Sequence, residues 1–233
     1  GNIVLDANAN VIDTGATATG MVTVASGDDA TDSLLNSSIT AGGNVLVTLD
    51  EELGATDITT TGSATVTANN VTNSTVDSDG ALSVIADTDV SGSTFKTDSA
   101  TDAVVTATAG SIADSGVTAT AAGAVLTAGT DISATDVVTE GAAVLAATGD
   151  IVNSSATSNA AVTAGAANIT NLDVDAAGTA ALTATGAVSG GNVEASVATV
   201  TGALIANGTV LALAGDATLT SATNISGMTV GAD

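Results

Sequence analysis

Residues 62–79 read GSATVTANNVTNSTVDSD, and residues 215–233 read GDATLTSATNISGMTVGAD. Both run Gly-x-Ala-Thr-aliphatic-Thr, then Asn-aliphatic-Thr/Ser, then a Thr-Val pair, and both end in Asp. The opening alternates, with Ala64, Val66 and Ala68 on one side and Thr65 and Thr67 on the other. Period-two alternation marks a strand with one buried face and one wet face. A lone aliphatic follows (Val71 or Ile225), then a short third strand. Gly, Asn, Asp and Ser separate the three, where turns need positive φ or local side-chain hydrogen bonds.

Looser versions occupy 123–140, with Ile132 as the lone aliphatic, and 160–177, with Ile169. Units open at Gly1, Gly20, Gly42, Gly62, Gly80, Gly123, Gly141, Gly178 and Gly215, and three long gaps are halved near Asp102, Ala160 and Val197. Residues 1–233 therefore divide into about 12 units of about 19 residues. A fixed period of that size signals a solenoid rather than a globule. The helical alternative fails because Thr, Val, Gly, Asn and Asp are poor helix formers and no 3.6-residue stripe persists. The fold class expected is all-β: a single-domain parallel β-helix, or β-solenoid, about 55–60 Å long at about 4.8 Å per coil.

Composition agrees with a thin stacked core. The chain has 25 acidic groups against one Lys+Arg, a net charge of −24, and no Cys, His, Pro, Trp or Tyr. Phe95 is its only aromatic residue and the adjacent Lys96 its only basic one. Yet 45% is hydrophobic and the mean hydropathy is +0.49, which separates the chain from disordered acidic sequences. A core without aromatics must be narrow, so that small aliphatics fill it. Absent Pro fits too, because a missing N–H breaks an interior ladder. Without Cys or His there is no disulfide, zinc, haem or thiol chemistry, and one cation gives no footprint for nucleic acid. No stretch reaches the roughly 18 apolar residues of a membrane-spanning helix.

Units opening Gly-x-aliphatic-x-aliphatic-x-Ala, with a later Ile/Val and a Thr/Ser-x-Val ending, resemble the repeats of filamentous-haemagglutinin-type proteins and autotransporter passengers. Gly62–Asp79, Gly123–Glu140 and Gly215–Asp233 carry the resemblance. It implies a right-handed parallel β-helix, secreted and displayed on a cell surface. The heavier Ala/Thr bias, and repeats beginning without an amino-terminal secretion cap, depart from the pattern.

Catalysis is not expected. Gly27-Asp28-Asp29 matches one short element of pectin-cleaving β-helix enzymes, but the companion elements require His, Arg and Lys. Asp28 and Asp29 read as a solvated turn, and Lys96 as a decoration on a coil corner. Acidic clusters at Asp28, Asp29 and Asp32, at Asp50, Glu51 and Glu52, and around Asp87 and Asp89 are candidates for loosely bound Ca²⁺. None has the Gly-Gly-x-Gly-x-Asp or EF-hand spacing, so no cofactor is assigned. Asn36, Asn70, Asn73, Asn153, Asn168, Asn207 and Asn224 open Asn-x-Ser/Thr sequons. They are candidate glycosylation sites, with a rival use as coil corners that hydrogen-bond their copies in the next coil. Thr-x-Thr pairs at 65/67, 106/108, 183/185 and 218/220 are placed in first strands, an array that Val4, Asp6, Ser83 and Ile85 interrupt.

The chain opens at Gly1 without Met or a basic leader, which predicts a removed leader or a segment of a longer protein. Repeats run from Gly1 to Asp233 with no atypical cap, which predicts either a longer array or end-to-end stacking of copies. The function expected is a non-catalytic structural block of an extracellular fibre, stalk or surface matrix. An adhesin segment binding a glycan or host-surface ligand is the alternative, and an ice-binding solenoid the third reading. Self-association, end to end or lateral, is the expected partnership.

Overall fold

A computed structural model describes residues 1–7, 9–26 and 32–233, with every side chain described except that of Ser26. The chain winds into about 12 coils of three strands each, and every strand pairs in parallel with its counterparts in the coils before and after. In the quoted unit the strands are Ala64–Ala68, Asn70–Thr72 and Thr75–Ser78. Ala64 lies between Val45 and Leu82, Val71 between Leu53 and Val90, and Val76 between Ile58 and Phe95. The expected unit starts fall one to three residues before the observed first strands: Gly62 precedes Ala64 and Gly123 precedes Ala124.

Alternation decides which side chains enter. Ala64, Val66 and Ala68 are buried while Thr65 and Thr67 are half-exposed. The lone aliphatic of each unit forms a column through the stack, running Leu34, Leu53, Val71, Val90, Ile112, Ile132, Ile151 and Ile169, all buried. A second column follows the third strands through Ile58, Val76, Phe95, Val117 and Val137. Each such Val, Leu or Ile stabilises by about 1.5–3 kcal/mol on burial. Small residues suffice because each site meets the same kind of side chain above and below.

The step between equivalent residues ranges from 17 (Val188 to Ile205) to 23 (Val22 to Val45). Because side chains alternate, the period must be kept at every strand while corners absorb the variation. The longest step contains residues 27–31, which lie outside the described residues, and with them the candidates Asp28 and Asp29.

One corner is fixed by backbone conformation. Between second and third strands every coil has a residue with positive φ: Asp13, Asn36, Ala55, Asn73, Gly92, Asp114, Ala134, Asn153, Asn171, Gly190, Asn207 and Gly227. Asn, Asp and Gly visit this region at least cost. At Gly92 a Cβ would stand 2.5 Å from Asn73 Oδ1, so stacking on an Asn corner adds a steric reason for glycine there.

Candidate functional site

The polar groups that sequence places in turns are organised into columns. The first lies just after the left-handed corner, where Ser37, Thr56, Ser74, Ser93, Ser115, Thr135 and Ser154 are all buried. Each hydroxyl donates to the carbonyl two residues back, as Ser74 does to Thr72 at 2.9 Å and Ser115 to Ala113 at 2.8 Å. The same oxygen accepts from the coil before: Thr56 N–H reaches Ser74 Oγ at 3.2 Å, and Ser74 N–H reaches Ser93 Oγ at 3.1 Å. A buried N–H that the strand ladder leaves over is thereby satisfied. Sequence reasoning placed Ser in the turns between strands and missed this column. Its signal is a Ser or Thr three residues after the lone aliphatic, as in Val71-Thr72-Asn73-Ser74 and Ile151-Val152-Asn153-Ser154.

A second column precedes the second strand. Asn70 Oδ1 accepts from Asp89 N–H at 3.3 Å, Asp89 Oδ1 from Ser111 N–H at 2.8 Å, and Asp131 Oδ1 from Asp150 N–H at 2.7 Å. Asp150 Oδ1 in turn accepts both Asn168 N–H at 3.0 Å and Asn168 Nδ2 at 2.8 Å. Carboxylate and amide oxygens here close the gap between coils, a structural use that needs no metal.

The sequons divide between these places. Asn36, Asn73, Asn153 and Asn207 occupy the left-handed corner and are exposed. Asn70 and Asn168 belong to the second column and are half-buried, Asn168 Oδ1 accepting from Ala187 N–H at 2.9 Å. Asn224 is exposed in the last coil, opposite Leu204. Among the described residues the expected bond between stacked asparagines is present once in side-chain form, from Asn171 Nδ2 to Asn153 Oδ1 at 3.0 Å.

The carboxylates proposed for cations behave differently from one another. Asp32 is buried at 2% exposure, and its carbonyl accepts from Glu51 N–H at 3.2 Å. Asp50 is exposed, Glu51 is half-exposed, and Glu52 accepts a hydrogen bond from the Thr72 hydroxyl. The stack brings Asp32 and Glu51 to neighbouring corner positions. Among the described residues no group of three or more metal-ligating side chains converges.

Lys96 is not on a corner. It lies within the third strand Thr94–Thr97, its ammonium 3.3 Å from Asp77 and 3.2 Å from Asp98. Those two bonds, Asp98 first, raise the Lys96 pKa above the ordinary lysine value. Asp98 is held below the ordinary carboxylate value, first by the Thr120 hydroxyl at 2.6 Å and then by Lys96. Its neighbour Phe95 is fully buried.

The Thr pairs are also redistributed. Thr65/Thr67 and Thr218/Thr220 stand on first strands, but Thr108 and Thr185 fall just past Ala107 and Ala184, where those strands end. Thr199/Thr201 supplies a pair that was overlooked. Leu46, Ile85, Val104, Val125 and Val144 share the face, so hydroxyl rows are interrupted by aliphatic ones.

The third-strand face carries most of the strand carboxylates. A shallow depression of about 440 Å³ is lined by Asp136, Asn153, Ser155, Asn171 and Asp173. It continues along the rod past Asp175, Asn192 and Glu194. Asp175 and Glu194 are register partners, a juxtaposition of like charges that costs stability. Chemically this surface offers hydrogen-bond acceptors and negative charge. No family model, curated protein or solved structure matches the chain.

Proposed function

We propose that the chain is a non-catalytic structural segment of an extracellular fibre, stalk or surface matrix, in which coils continue from one copy to the next. The observation that carries this reading is the uniform stack. The same three strands, left-handed corner and aliphatic columns recur in every coil, so stability is spread along a rod rather than gathered around a cleft. The likeness of the repeats to filamentous-haemagglutinin-type and autotransporter-passenger repeats supports surface display. A right-handed winding belongs to the same reading, since parallel crossovers are right-handed in nearly all cases.

A second reading, an adhesin segment, draws on the depression along Asp136, Asp173 and Asp175, whose carboxylates and amides suit the hydroxyls of a glycan. Antibody labelling of intact source cells, with fractionation, tests the structural reading. Surface-exposed, filament-associated chain is expected; chain confined to the cytosolic fraction overturns it.

A further inference from the structure

We infer that two copies of this chain pair laterally and antiparallel through the face formed by the first strands; the inference rests on the structural reading above. Charge distribution is the first ground. With 25 acidic groups and a net charge of −24, copies repel one another over most of their surface. Yet among the described residues Asp6 is the only charged residue within any first strand. Other carboxylates reach only the borders of this face, Asp87 and Asp102 among them. It is the side on which two rods meet at least electrostatic cost.

Its composition and extent are the second ground. Pairing between successive first strands is in continuous register from Ile3 onward, so the face is an unbroken parallel sheet. Val104, Val125 and Val144 are successive outward residues at the middle of the rod, next to Ile85, which is 37% exposed. Towards the last coils the face becomes hydroxylic, with Thr199/Thr201 and Thr218/Thr220. An apolar centre with a polar periphery is the anatomy of an interface. A face about 58 Å by about 16 Å offers about 900 Å² per copy, close to the roughly 800 Å² that a standard interface needs.

Orientation follows from Asp6. Parallel pairing in register sets Asp6 of one copy against Asp6 of the other. Antiparallel pairing about the valine centre instead superimposes the two valine centres and carries each Asp6 toward the partner's far end, away from the partner's own Asp6. The two-fold axis then passes near Val125, so that position 125 meets its own copy.

Sedimentation equilibrium of the full chain at 0.15 M salt tests this. The wild type is expected to dimerise, and Val125→Asp to weaken association at least tenfold. Mixing Val125→Asp with Val125→Lys chains is expected to restore it. Thr127→Glu, on the same wet face, replaces Val125→Asp should that variant lose its β-sheet circular dichroism. A wild type that stays monomeric at millimolar concentration, or charged variants that dimerise as tightly as the wild type, overturns the inference. Electron microscopy separates this outcome from that of the structural reading. Long filaments one rod wide contradict lateral pairing alone, whereas paired rods that never lengthen support pairing and contradict end-to-end continuation.

Discussion

Asn171 Nδ2 donates to Asn153 Oδ1 at 3.0 Å across one coil, with the two residues at φ 52 and 50. Each therefore bends the chain and ties its coil to the neighbour with the same side chain. Their backbone N–H groups also continue the ladder, Asn153 to Thr170 O at 3.0 Å and Asn171 to Ser189 O at 2.9 Å. The corner is thus where backbone strain, turn and stacking meet.

Corner strain predicts opposite signs for two substitutions. Ala134 sits at φ 47 with nothing to offset the cost of that conformation, so Ala134→Gly is expected to stabilise by about 0.5–1 kcal/mol. Asn153→Val, which places a β-branched residue there and removes the acceptor for Asn171, is expected to cost about 1–3 kcal/mol. Urea unfolding of both variants against the wild type measures the difference; equal midpoints would contradict the role given to the corner.

The buried hydroxyl column predicts a sharper loss. Ser74→Ala leaves Thr56 N–H without its acceptor in a fully buried place and is expected to cost about 1–3 kcal/mol. Ser74→Thr keeps the hydroxyl, as Thr56 and Thr135 do naturally, and is expected to lie within about 0.5 kcal/mol of the wild type. Amide hydrogen exchange at Thr56 reads the same event locally: protection falls in the first variant and persists in the second.

Phe95 fills one place in a column whose nearer members are Ile58, Val76, Val117 and Val137. Phe95→Ala is expected to cost about 3–5 kcal/mol, and Phe95→Leu clearly less, because Leu leaves the smaller void. Thermal melts rank the two. An alanine variant as stable as the wild type would mean that the coil interior collapses freely around the site.

Ala64, Val66 and Ala68 announced a strand by alternation, and Val71, Ile132 and Ile169 announced the second strand by standing alone among polar residues. Burial imposes those patterns, so they are written in residue type. The left-handed corner was legible where Asn or Gly occupies it and silent at Ala55 and Ala134, where the fold overrides local preference. Ser74 and Ser154 were misread because a hydroxyl is equally at home in a wet turn or in a buried bridge, and only the neighbouring coil decides.

The lysine cluster predicts a titration. A carboxyl lowered on folding stabilises fully above its unfolded value, about 3.9, and loses that contribution as pH falls through the lower folded value. A raised lysine stabilises fully below its unfolded value, about 10.4, and loses the contribution as pH rises through the higher folded one. Asp98 and Lys96 are exposed, so the effect on overall stability is slight. Thr120→Val removes the principal hydrogen bond to Asp98 and is expected to move its midpoint up toward the ordinary carboxylate value. Carboxyl-carbon NMR titration checks this, and an unmoved midpoint contradicts it.

Continuation of the ladders and columns from copy to copy is what builds the proposed fibre. Cryo-electron microscopy of the concentrated chain, with carboxylate repulsion screened by salt, tests it most directly. Filaments longer than one rod of about 58 Å are expected, with an axial reflection at about 4.8 Å from strands running across the filament. Dispersed single rods at every concentration and salt level would contradict it.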